Sequence, residues 1–174
     1  MKKIIFLFFL TLFFASCGGN SSAPATDETA TEATAEEGGE EATADEADAN
    51  IAEVTIKGDD AMKYDLSEIK VKEGQTVHLT LVHSGKAPVA AMGHNWVLMK
   101  PGTDVEKFAT AAINAKDNDY IPADMAADVI AHTKTIGGGE TTDVEFTAPA
   151  KGTYDFLCSF PGHHATMKGK FIVE

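Results

Sequence analysis

The chain has 174 residues, with 27 acidic against 14 basic side chains and a formal net charge of −13. That balance, with no basic aromatic patch, excludes nucleic acid as a partner. No paired acid–base carboxylates, nucleophile triad or phosphate loop is present, so an enzyme is not expected.

The first residues read as a targeting segment. Lys2 and Lys3 precede an apolar run over residues 4–14, in which Thr11 is the one polar member. The run is too short for an ordinary membrane-spanning helix. Phe14-Ala-Ser-Cys17 resembles the cleavage box of bacterial lipoproteins, with Phe14 standing where Leu is usual. The resemblance implies residues 1–17 as a signal ending in Cys17, the lipid-bearing cysteine. The protein is then extracytoplasmic, anchored to a bacterial membrane and facing the periplasm or the cell surface. An ordinary signal peptide cut near Ser16 is the alternative.

Residues 18–50 hold ten acidic side chains, no basic one, and no aromatic or large aliphatic group. Nothing there offsets the entropy of ordering, so the segment is expected to be a disordered, self-repelling tether. Setting it and the two signal lysines aside leaves residues 51–174 near −5, enough chain for one core.

Within that domain, residues 51–56 read as a strand and Gly58-Asp-Asp60 as a turn. A second strand spans residues 66–71. Residues 76–82 alternate cleanly, with Val77, Leu79 and Leu81 inward and Thr76, His78 and Thr80 outward. Residues 95–99, 143–147, 153–158 and 168–173 complete the strands. Between them, residues 103–116 read as a helix opening at Thr103, with Glu106 closing a capping box. Residues 122–130 are expected to add a turn or two. Seven or eight short strands imply an all-β antiparallel sandwich or barrel, with the helical insertion packed outside a sheet.

Cys158, His163 and Met167 fall within ten residues. Tyr154, Phe156 and Cys158 share one strand face, so the thiol points inward at the strand end. Phe160-Pro161-Gly162 turns the chain and presents His163. A thiolate, an imidazole and a thioether select copper, provided a second imidazole arrives from elsewhere. Lipid capping of Cys17 and metal ligation of Cys158 also explain two unpaired cysteines outside the cytoplasm better than a disulfide between them. Of the other histidines, His94 is the best supplier: it opens a strand behind Gly93, which lets the backbone approach closely. His78 reads as solvated and His132 as a surface residue. His83 fits either an internal position or a ligand. His164 points away from His163.

Met92-Gly-His-Asn-Trp-Val-Leu98, Val129-Ile-Ala-His-Thr-Lys-Thr-Ile-Gly137 and Cys158-Ser-Phe-Pro-Gly-His-His-Ala-Thr-Met-Lys-Gly169 resemble the azurins, blue-copper proteins of the cupredoxin family. The resemblance spans nearly all of residues 51–174 and implies a cupredoxin-like Greek-key sandwich or barrel. It implies one type 1 copper, with His94, Cys158 and His163 as strong ligands. Met167 would be the weak axial ligand, with the Gly93 carbonyl opposite. Asn95 would tie the ligand loops together, and His83 would be a half-buried non-ligand. Met92, Phe160, Pro161 and Ala165 would ring the edge of His163 and meet redox partners such as a c-type cytochrome, or a copper or haem reductase or oxidase. A monomer is the default expectation. Two features depart from azurins: the domain lacks cysteines for their N-terminal disulfide, and His164 stands where a small polar residue is common.

The implied activity is single-electron transfer, since four protein ligands leave no open position for substrate chemistry. The competing readings are an extracytoplasmic copper storage or delivery protein and a zinc-bound structural domain. Trp96 is expected in the core.

Overall fold

We describe residues 50–174 of the protein from a computed structural model. The expected signal, the lipid-bearing Cys17 and all of the tether before Asn50 lie outside the described residues. Eight strands are present among the described residues: β1 (Ile51–Gly58), β2 (Glu68–Val71), β3 (Thr76–His83), β4 (Val97–Met99), β5 (Val129–His132), β6 (Thr141–Thr147), β7 (Gly152–Leu157) and β8 (Lys168–Val173). They form two sheets in the orders β1-β3-β6 and β2-β8-β7-β4-β5, a Greek-key sandwich.

The sheets are mixed, which corrects the antiparallel expectation. β1 runs parallel to β3, with Ile51 opposite Thr76 and Gly58 opposite His83. β2 runs parallel to β8. The cause is topological. After β1 the chain crosses to the other sheet for β2 and then returns, so β3 lies beside β1 pointing the same way rather than folding back as a hairpin. No disulfide closes this region. The parallel ladder and the Thr76 N–H donating to the Asn50 carbonyl at 2.9 Å hold the first strand instead.

Alternation decides what each strand buries. Val77, Leu79 and Leu81 of β3 are fully buried against Trp96, Leu98, Phe156 and Phe171 of the facing sheet. Each such side chain contributes roughly 1.5–3 kcal/mol of burial. The same parity carries His83, one step beyond Leu81, into the interior. On β7 it carries Cys158, just past the strand end, inward after Tyr154 and Phe156.

The opposite faces of β4 and β7 are covered too. Val97, Met99 and Leu157 pack beneath the insertion through Phe108, Ile121 and Met125, as expected for a helix outside a sheet. Its details differ from the sequence reading. A single turn, α1 (Val89–Met92), precedes it, and the main helix, α2, spans only Val105–Ala112. Asp104 is the N-cap, accepting from the Lys107 N–H at 3.1 Å, while the Thr103 hydroxyl donates to the Lys100 carbonyl. A carboxylate accepts the orphan amide more strongly than a hydroxyl. Residues 122–130 divide into a 3₁₀ turn, Ala123–Asp128, and the first half of β5. Among the described residues no helix is long and apolar enough to cross a membrane.

Candidate metal centre

Four segments converge at one end of the sandwich. Cys158 leaves β7, and its N–H donates to the Met167 carbonyl at 2.9 Å. Gly162, at φ +83°, turns the chain into the short 3₁₀ turn His163–Ala165. That conformation suits glycine because it lacks a Cβ. The Met167 N–H returns to the His163 carbonyl at 2.8 Å, so residues 158–167 close on themselves. His94 sits before β4, held by reciprocal backbone hydrogen bonds with Ile136 at 2.9 and 2.8 Å.

The result is a buried His94–Cys158–His163 cluster whose potential ligand atoms all lie within 4.8 Å of one another. The Cys158 Sγ is 3.6 Å from His163 Nδ1. Met167 is fully buried in the same cluster as Cys158 and Phe160. Gly58 closes another side: a Cβ there would lie 2.7 Å from the His94 ring and 3.1 Å from the Met167 methyl. Gly93 is equally confined, since its Cβ would meet the Phe160 ring at 2.7 Å.

Hydrogen bonds separate ligand from non-ligand histidines. His94 Nε2 lies 2.9 Å from the Asp59 carbonyl, which can only accept, so the proton is on Nε2. His94 Nδ1 is then a bare, buried lone pair with no partner. An orphaned acceptor beside a thiol and a second imidazole is what a metal satisfies. His83 differs. Its Nε2 donates to the Met92 carbonyl at 2.8 Å and its Nδ1 accepts from the Gly85 N–H at 3.1 Å, so neither nitrogen is free. It stacks on His94 with ring centroids 4.1 Å apart, a supporting wall rather than a ligand.

Burial sets the protonation states of this metal-free site. It pushes the Cys158 thiol up to about 12, against the opposing pull of the Asn95 and Phe160 amides and the Tyr64 hydroxyl. Burial, then the neighbouring His94 and His83, pushes His163 down to about 4. His94 is lowered by burial as well. Both imidazoles are therefore neutral at pH 7 and able to ligate, while the sulfur must shed a proton to do so.

Asn95 is fully buried and joins three segments. Its Oδ1 accepts from the Ser159 N–H at 2.9 Å, and its Nδ2 donates to the Ser159 hydroxyl at 2.8 Å and the Asp119 carbonyl at 2.6 Å. Asp119 and Tyr120 adopt positive φ of 51° and 59° to present that carbonyl. The insertion thus braces the ligand loop, a role its sequence did not suggest. Phe160 is buried between His163 and Tyr120, at centroid distances of 4.7 and 5.0 Å. Met92, Pro161 and Ala165 keep partial or full exposure, and Trp96 is wholly in the core. His132 is half-buried; His78 is clamped between Glu53 at 2.9 Å and Glu145 at 2.8 Å rather than free in solvent. Sequence reasoning took Gly58 and Asp59 only as part of a turn and missed their contacts with His94.

Residues 51–174 match the family model described as copper binding proteins, plastocyanin/azurin family. The chain is 48% identical to an azurin of Achromobacter denitrificans over 125 residues, covering 67% of this chain and 80% of that protein. It is 41% identical over 120 residues to outer membrane protein H.8 of Neisseria gonorrhoeae, covering 67% of this chain and 64% of that one. Among solved structures, auracyanin A, a "blue" copper protein from Chloroflexus aurantiacus, superposes with a TM-score of 0.65 at 35% identity, covering 71% of this chain and 99% of that one.

Proposed function

Because the chain belongs to the plastocyanin/azurin family of copper-binding proteins, we propose a residue-level account of how it works as a single-electron carrier. The buried His/Cys/His set forms one type 1 copper site, and the protein is not an enzyme. When bound, copper supplies reversible Cu(II)/Cu(I) chemistry. In this account His94 Nδ1, Cys158 Sγ and His163 Nδ1 would hold the metal as its strong donors, with the Met167 thioether and the Gly93 carbonyl as weak ones. The observation that carries it is the unpartnered His94 Nδ1 facing a buried thiol and a second imidazole.

The chain's own groups keep this set still. Asp59 fixes the His94 tautomer, Asn95 locks the Cys158 turn, and the Gly58 and Gly93 backbones leave no room for rearrangement. A donor set that barely moves favours fast electron exchange, because little nuclear reorganisation accompanies the change of charge. His163 lies beside exposed Gly162 and Ala165, so it is the imidazole through which redox proteins reach the centre. We assign docking to Met92, Phe160, Pro161 and Ala165, with Phe160 mainly supporting His163 from beneath. A small, partly apolar face suits brief encounters with a c-type cytochrome, or a copper or haem reductase or oxidase.

The carrier works outside the cytoplasm at a membrane. The likeness to outer membrane protein H.8 and the lipoprotein-like box at Cys17 support an anchored domain, residues 51–174, on an acidic tether, residues 18–50. Voltammetry and copper release together test the carrier reading against delivery. Reversible exchange with slow release to a chelator is expected; sluggish exchange with rapid release would favour delivery.

A further inference from the structure

Three consecutive residues at the end of β1 are pinned to other segments. The Gly58 carbonyl accepts from both the N–H and the hydroxyl of Ser84, at 2.8 and 2.9 Å. The Asp59 carbonyl accepts from the His94 Nε2–H at 2.9 Å. The Asp60 carboxylate accepts from the Lys86 N–H at 2.8 Å and the Ala87 N–H at 3.3 Å. That platform is itself held, because the Ala87 carbonyl accepts from the Gly138 N–H at 2.8 Å. The Asp59 carbonyl and the Asp60 nitrogen belong to one planar peptide group. Anchoring Asp60 therefore limits how far that carbonyl can turn away from the imidazole. The far side of the loop is tied through the Thr166 hydroxyl, which donates to the Met62 carbonyl at 2.9 Å, so Asp60 is the tie nearest the acceptor along the chain. Room for the carboxylate depends on Gly85, where a Cβ would lie 2.0 Å from Asp60 Oδ1.

We propose that Asp60 is a positioning residue that lowers the reduction potential of the copper centre, by holding the Asp59 carbonyl against the His94 imidazole. The sign follows from that one hydrogen bond. A carbonyl that accepts from Nε2–H leaves more electron density on Nδ1 and makes it the stronger donor. A stronger nitrogen donor favours the oxidised metal, because the reduced one prefers soft sulfur ligands. With Asp60 released, the carbonyl drifts, the Nε2–H bond weakens and the reduced state gains.

The proposal rests on the functional reading of His94 as a copper ligand. In the unaltered full chain, loading with copper(I) should shift the His94 Nδ1 ¹⁵N resonance; no shift would defeat that reading, and the proposal with it. Two variants then release Asp60 from opposite sides. Asp60→Ala removes the carboxylate, and Gly85→Ala displaces it while keeping its charge. In each, the His94 Nε2–H proton of the copper-free chain should resonate upfield and exchange faster with solvent. In the copper-loaded chain at equilibrium with a mediator couple, the reduced-to-oxidised ratio should rise by up to about fivefold, the value of one net hydrogen bond. The double variant should add nothing beyond either single one. A ratio that rises in Asp60→Ala alone would mark a through-space effect of its charge and overturn the proposal. Lost stability with the Nε2–H resonance and the ratio unchanged would make Asp60 a merely structural residue and overturn it too. If Asp60→Ala does not fold, Gly85→Ala decides on the same readouts.

Discussion

At the scale of single residues, the centre is defined by which polar atoms lack partners. His83 and His94 stack and are equally buried, yet only His94 keeps a bare nitrogen. The Cys158 thiol, held up to about 12 by burial, is protonated at pH 7, so metal must displace its proton. Copper loading at pH 7 should release about one proton per site, measurable by calorimetry in buffers of different ionisation enthalpy. His163 gives the opposite sign of linkage. Its folded value of about 4 lies below the ordinary 6.5, so the unfolded chain binds the extra proton in that window. The metal-free protein should therefore lose stability as pH falls from 6.5 towards 4, by up to about 3 kcal/mol, in denaturant titrations across that range. Gly58→Ala tests the tightest contact. Its Cβ would press on the His94 ring at 2.7 Å, so copper retention should weaken and stability fall by about 1–3 kcal/mol. The residue types at the site were legible because thiol, imidazole and thioether lie close together in one loop. Asp59 was not, because it acts through a backbone carbonyl that any residue could supply.

At the scale of elements, alternation carried most of the information. The parity of β3 and β7 places Leu81, Phe156 and Cys158 inward and extends to His83, a position that the strand pattern alone left undecided. Strand direction was not legible, because parallel and antiparallel neighbours use the same alternation and the difference lies in where connections cross between sheets. The helical insertion was legible as a helix but not as a brace. It meets the site through the Tyr120 ring against Phe160 and through the Asp119 carbonyl, presented by two residues of positive φ that no periodicity announces. Asn95→Ala should separate the insertion, the Cys158 turn and the start of β4 at once. Three buried hydrogen bonds are lost, so the metal-free fold should be destabilised by on the order of 3 kcal/mol in a denaturant titration. By contrast, the exposed Glu106 on α2 lies 3.2 Å from His164, and Glu106→Gln should change stability by no more than about 1 kcal/mol.

At the scale of the whole molecule, two sheets and a helical insertion bring His94, Cys158 and His163 together at one end of the sandwich, with their potential ligand atoms within 4.8 Å of one another. The charge is divided along the chain: ten acidic residues and no basic one in residues 18–50, against a mildly acidic folded domain. The direct test of the central claim is the visible absorption spectrum of the chain loaded with one equivalent of copper(II), recorded beside Cys158→Ser. An intense thiolate-to-copper band that vanishes in the variant is the expected result. Copper bound without that band, or a band that survives loss of the Cys158 sulfur, would contradict it.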